Sequence, residues 1–129
     1  MAEISKKILL VDDDKFLVDM YTLKFKSASF DIMSAFSGEE AIEKIKNGFS
    51  PDAVLFDIIM PGLSGLEFLA AIKKENLAPK AVYIVLSNQG QSSDIEEAKK
   101  LGIDGYIVKA STIPSEVLEQ VREILNRKK

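Results

Sequence analysis

The sequence contains no cysteine and no histidine in its 129 residues. The first absence excludes disulfides, thiolate nucleophiles and zinc–thiolate sites. The second removes Ser-His-Asp and Cys-His catalysis, imidazole metal ligands and any role as a phosphohistidine carrier. No apolar run reaches membrane-spanning length, and the N-terminal "MAEISKK" lacks an apolar signal-peptide core. A cytoplasmic protein with no membrane partner is the expectation. A net charge of −3 is too mild for a nucleic-acid binder that works through bulk electrostatics, so direct nucleic-acid binding is not expected either. There is no repeat, low-complexity tract or linker, and the length suits a single domain over 1–129. Any chemistry must use Asp, Glu, Ser, Thr, Lys or Tyr.

What is present is an alternation. Short apolar runs, "KILLV" (7–11), "DIMSA" (31–35), "AVLF" (53–56), "VYIVL" (82–86) and "GYIV" (105–108), are each followed by a segment of helical period. Most of the runs are continuously apolar, as strands covered on both faces require. Capping-box spacing predicts helix starts at Ser37 with Glu40, Ser64 with Glu67 and Ser93 with Glu96. Gly48 and Gly102 mark helix ends, and Pro114 stands near the first turn of the last helix. Five β-α units imply an α/β fold: a doubly wound, five-stranded parallel sheet with helices on both faces, strand order 2-1-3-4-5, flavodoxin-like.

In such a sheet the functional crevice lies at the carboxyl ends of the strands, beside the point where the order reverses. Read there, the first strand ends in Asp12-Asp13-Asp14, the third in Asp57, the fourth in Ser87 and the fifth in Lys109. With neighbouring strands about 4.8 Å apart, Asp12, Asp13 and Asp57 fall within a few ångströms of one another. Ser87 and Lys109 are expected on the flank beyond Asp57. Clustered carboxylates call for a neutralising cation, and an all-oxygen ligand set selects a hard one. Mg²⁺ suits Asp12 and Asp13 because it keeps waters and leaves positions for phosphate oxygens; calcium fits less well. Asp57 then becomes a possible nucleophile toward phosphorus, with Lys109 and Ser87 each holding a phosphoryl oxygen. Blander readings stand beside these. Asp14 caps the following helix, a serine after a strand is usually turn chemistry, and Asp12 or Lys109 taken alone reads as a solvated rim.

Together these residues resemble the response-regulator receiver domain of two-component signalling, over essentially the whole chain. "ILLVDDD" resembles its acidic pair, and "AVLFDIIMPGLSGLEFL" its D-x-x-M-P-x-x-x-G signature, with Asp57, Met60, Pro61 and Gly65 in place. "IVLSN" supplies the Ser/Thr position at Ser87, and "GYIVKA" the lysine at Lys109. The resemblance implies that Asp57 accepts a phosphoryl group from a sensor histidine kinase, a phosphotransfer protein or a small phosphodonor. It implies Mg²⁺ on Asp12, Asp13 and Asp57 and on the backbone carbonyl of Ile59. It also implies a switch: Ser87 moves toward the phosphoryl group, Tyr106 turns inward, and the face of the fourth helix, fifth strand and fifth helix changes its affinity for a downstream protein target. The plain alternative for Tyr106 is a half-buried strand aromatic with a wet hydroxyl. The implied protein is a phosphoacceptor rather than a turnover enzyme, and a monomer or phosphorylation-dependent dimer.

The chain departs from the family pattern at several positions. Ala110 follows Lys109 where proline is usual, often after a cis peptide, and a cis bond before alanine costs about 2.5–4 kcal/mol. Asn88 replaces a small residue at the site entrance. Ile59 cannot orient an attacking water through its side chain, whereas Gln89 can. Slow self-dephosphorylation is the expectation. Two rival readings are a receiver-like interaction module that switches weakly and an aspartyl-phosphate phosphatase, which would want a second acid where Ile59 stands. A flavin carrier would want a Ser/Thr/Gly loop where "DDDKF" stands.

Overall fold

Pleating sends alternate residues of a central strand to opposite faces, and here both faces are apolar. The computed structural model describes residues 6–87, 92–109 and 112–127. The elements alternate as the sequence predicts: β1 (Lys7–Val11), α1 (Lys15–Ser27), β2 (Asp31–Ala35), α2 (Gly38–Lys46), β3 (Ala53–Phe56), α3 (Gly65–Glu75), β4 (Val82–Ser87), α4 (Ser92–Leu101), β5 (Gly105–Val108) and α5 (Pro114–Arg127). All strands pair in parallel in the order β2-β1-β3-β4-β5. β4 runs one residue further than its apolar run, so Ser87 is the last residue of the strand.

Two cores flank the sheet. On one face Ile8 and Leu10 of β1, Leu55 of β3 and Ile84 of β4 pack against Val18, Tyr21 and Phe25 of α1 and Val117, Val121 and Ile124 of α5. On the other, Leu9, Val11, Val54, Phe56 and Val85 pack against Ala41 of α2, Phe68, Leu69 and Ile72 of α3 and Ala98 of α4. The Phe56 and Phe68 rings meet at 5.7 Å between centroids. β2 departs from full coverage: as an edge strand it keeps only Ala35 fully buried. The Lys44 ammonium donates to the Ser34 carbonyl at 2.6 Å, satisfying one of the outward-facing groups of that edge.

Local signals account for most boundaries. Asp14 caps α1, its side chain accepting from the backbone N–H groups of Phe16 and Leu17. Ser64 and Glu67 form the reciprocal capping box of α3. At α2 only half of the box forms: Ser37 accepts from the Glu40 N–H, but the Glu40 carboxylate turns to the Phe36 N–H. The Ser93–Glu96 start is corrected, because α4 has already begun at Ser92 and both residues are interior to it. Gly48 and Gly102 follow their helices at positive φ, and Pro114 is the first residue of α5.

Candidate functional site at the strand ends

Asp12, Asp57, Ser87 and Lys109 each stand where a strand stops, whereas Tyr106 lies within β5 and Ile59 in the loop after β3. Asp12 follows β1 and extends the ladder, its N–H donating to the Ala35 carbonyl at 3.1 Å. Asp57 follows β3 and is tied to β1 in the same way, through its N–H to the Val11 carbonyl at 3.1 Å. Fixing both backbones to β1 fixes the spacing of the side chains. Ligand oxygens of Asp12, Asp13 and Asp57 all lie within 4.8 Å of one another. Asp12 is only 2% exposed and Asp57 8%, while Asp13 faces solvent.

Lys109 corrects the expectation that it would stand on the flank. Its side chain folds back across the rim, and the ammonium donates to Asp12 Oδ2 at 2.6 Å and to Asp57 Oδ2 at 3.0 Å. The reason is electrostatic: two buried carboxylates attract the one buried ammonium among the described residues, and the four-carbon stem is long enough to reach both. Burial opposes charge on Lys109, but the hydrogen bonds and charges of Asp12 and Asp57 outweigh it and hold the ammonium above the ordinary lysine value. For Asp12 the balance falls the other way, and burial raises its carboxyl above the usual range despite the Lys109 contact.

The remaining oxygens are held by backbone. Asp12 Oδ1 accepts from the Asp14 N–H at 3.0 Å and Asp57 Oδ1 from the Ile59 N–H at 3.2 Å. The loop after Asp57 can close tightly because residue 65 is glycine: its N–H donates to the Ile58 carbonyl at 2.8 Å. A Cβ there would strike the Asp57 carbonyl oxygen and lie 2.7 Å from the Ile58 Cα. Ser87 is buried at the end of β4. The Ile59 side chain projects outward and is 60% exposed.

Tyr106 does not have the wet hydroxyl of its plain alternative. The oxygen is buried, and it has no hydrogen-bond partner among the described residues. Burial, then the Asp57 charge, pushes this hydroxyl above the ordinary tyrosine value. Asn88, Gln89 and Ala110 lie outside the described residues. Tyr21 is an addition: it is buried on α1, and burial first raises its hydroxyl, which also feels the charges of Lys109 and Asp12. It carries no motif signal, since the 18–21–25 spacing marks it simply as core.

Three oxygen ligands, with the Ile59 carbonyl nearby in sequence and no nitrogen or sulfur donor, fit a hard divalent cation. A profile of the response regulator receiver domain matches residues 8–122. The chain is 35% identical to the chemotaxis protein CheY of Thermotoga maritima over 122 residues, 94% of this chain and 98% of that one. It is 30% identical to the alkaline phosphatase synthesis transcriptional regulatory protein PhoP of Bacillus subtilis over 124 residues, 96% of this chain but 50% of that protein, so it spans about half of PhoP's length. A solved CheY-like receiver domain of Methanospirillum hungatei superposes with a TM-score of 0.87 at 29% identity, covering 97% of each chain. With the acidic rim, the strand order and the profile in agreement, the chain belongs to the response regulator receiver domain family of two-component signalling.

Proposed function

We propose that this domain, taken as one unit over 1–129, accepts a phosphoryl group on Asp57 in a Mg²⁺-dependent reaction. The donor is a sensor histidine kinase, a phosphotransfer protein or a small phosphodonor. The observation that carries this reading is the Lys109 ammonium bridging Asp12 and Asp57, with Asp13 in ligand range of both. Such a cluster binds a cation and a phosphoryl group with groups already in place.

A carboxylate oxygen of Asp57 attacks phosphorus in line with the leaving group. The new O–P bond forms as the bond to the donor nitrogen or oxygen breaks, leaving an acyl phosphate on Asp57 and the electron pair on the leaving group. The Ile59 N–H orients the Asp57 carboxylate before attack. Lys109 is free to follow the charge, leaving Asp12 to contact a phosphoryl oxygen. Ser87 offers its hydroxyl to a second oxygen. Asp12, Asp13, Asp57 and the Ile59 carbonyl would hold Mg²⁺, which when bound supplies positive charge against the phosphoryl oxygens.

The output is a change of surface. Movement of Ser87 toward a phosphoryl group draws Tyr106 inward and alters the face of α4, β5 and α5 toward a downstream protein target. The buried Tyr106 hydroxyl, without a hydrogen-bond partner among the described residues, supports this reading, since a position that finds a partner is favoured over one that lacks it. The domain then signals by contact rather than turnover, in the cytoplasm, as a monomer or a phosphorylation-dependent dimer.

Intact mass after incubation with Mg²⁺ and acetyl phosphate tests the reading. One added phosphoryl group, lost with EDTA and absent in Asp57→Asn, supports it. Metal binding without phosphorylation by either small donors or histidine kinases would leave a receiver-shaped interaction module instead.

A further inference from the structure

Parallel strands joined by crossover helices place every helix C-terminus at the end of the domain away from Asp57. The last turns there carry Lys24 and Lys26 of α1 and Arg127 of α5 on one face of the sheet, and Lys46 of α2, Lys73 and Lys74 of α3, and Lys99 and Lys100 of α4 on the other. Lys80 joins them from the α3–β4 connection. Between α3 and the α4–β5 connection opens a cavity of about 520 Å³, lined by Lys73, Asn76, Lys80, Tyr83 and Asp104 among others.

The charges at this end are unequally engaged. Several of its carboxylates are in use: Asp52 accepts from the Lys7 N–H at 2.8 Å and lies 3.5 Å from Lys80, and Asp104 accepts from the Tyr83 N–H at 2.8 Å. Glu75 faces Lys46 at 3.8 Å. The exposed Lys73, Lys74, Lys99 and Lys100 have no carboxylate partner among the described residues; the Lys73 ammonium lies instead 4.7 Å from the centroid of the Tyr83 ring. Lysines in last turns complement the helix dipoles, which accounts for their position but leaves the ammonium groups solvated and able to pair.

We propose that this end of the domain, centred on Lys73 and Lys74 of α3 and Lys99 and Lys100 of α4, docks a Glu/Asp-rich segment of a protein partner. A bilayer fits less well because none of the exposed large apolar side chains, Phe16, Leu23, Ile59 and Ile113, lines this cavity or stands in the last turn of α3 or α4. A nucleic-acid duplex fits less well because the patch consists of lysine, a point charge, rather than bidentate arginine. The interspersed Asp52, Glu75 and Asp104 would repel either uniformly anionic surface, whereas a protein segment of mixed charge can avoid them. A partner held here leaves Asp57 uncovered at the opposite end, so docking and phosphorylation can occur together.

The test measures fluorescence anisotropy of a labelled octaglutamate peptide with the full chain at low salt. Wild type binds, and high salt abolishes binding. The double variant Lys74→Gln/Lys99→Gln weakens it about fivefold, while the equal-charge control Lys15→Gln/Arg122→Gln, at the start of α1 and midway along α5, changes it by less than about twofold. Melting temperature and acetyl phosphate uptake, unchanged in both variants, show that each is folded. Three outcomes overturn the proposal: no binding by wild type, equal loss in the two variants, or tighter wild-type binding of a short DNA duplex or of phosphatidylglycerol vesicles than of the peptide.

Discussion

Removing the Lys109 ammonium would leave two buried carboxylates, Asp12 and Asp57, facing each other without a cation. Breaking a buried ion pair from one side costs far more than the pair itself contributes, because the remaining charge is stranded. Lys109→Met is therefore expected to destabilise the metal-free protein by roughly 3–5 kcal/mol in urea titrations. Added Mg²⁺ should recover part of that loss, and no recovery would argue against a cation site at Asp12, Asp13 and Asp57. Gly65 acts by close approach rather than by charge. Gly65→Ala must push the start of α3 away from the Asp57 carbonyl, at an expected cost of about 1–3 kcal/mol. Because the displaced backbone carries Asp57, the proposed phosphoacceptor, acetyl phosphate uptake should fall along with stability. A variant that loses stability but keeps its uptake rate would show that the loop relaxes without moving Asp57.

At the scale of elements, the caps and the buried strand ends give separable predictions. Ser64 closes the α3 capping box, so Ser64→Ala should lower stability by about 1 kcal/mol without changing metal affinity. Tyr83 of β4 is buried, donates its hydroxyl to the Ala78 carbonyl at 3.0 Å, and has its pKa pushed up to about 12, chiefly by burial. A raised value means that the folded state holds the phenolic proton more tightly than the unfolded chain does. This contribution is complete below the unfolded tyrosine value near 10 and is lost as the pH rises through about 12. Holding the proton over that interval is worth roughly 2–3 kcal/mol of stability. Stability measured across that alkaline window should fall steeply in the wild type and less steeply in Tyr83→Phe; parallel slopes would rule out Tyr83 as the source.

The whole molecule is divided by its own topology. Parallel strands collect Asp12, Asp13 and Asp57 at one end of the sheet, and the same winding gathers the lysine-bearing helix ends at the other. A ligand that binds only the folded state stabilises all of it. Mg²⁺ at a hundredfold excess over its dissociation constant should add about 2.7 kcal/mol to unfolding. Asp13→Asn, which removes an exposed proposed ligand and leaves the Lys109 pairs intact, should abolish most of that gain in a thermal-shift titration. An undiminished gain would place the metal elsewhere.

Much of this was legible in the residues themselves. The apolar runs of β1, β3 and β4 report burial on both faces directly, and the β-α alternation that includes β2 and β5 implies the parallel sheet. Asp14 and the Ser64–Glu67 pair act within one helical turn, which is why sequence spacing alone locates them. The acidic triplet, Asp57 and the lysine after β5 could be named from the same reading, because strand ends in a parallel sheet share one rim. What needed the tertiary structure was every relation set by a long side chain or by distant backbone. Lys109 reaches back over the rim because two carboxylates that are 97 and 52 residues away in sequence draw it there. Glu40 turns from Ser37 to Phe36, and Ser93 lies inside a helix, because a favourable spacing does not decide which N–H is nearest. The Tyr106 hydroxyl and the Lys73, Lys74, Lys99 and Lys100 ammonium groups, without hydrogen-bonding or carboxylate partners among the described residues, are likewise invisible in sequence. Whether a polar group finds a partner depends on what the fold brings beside it.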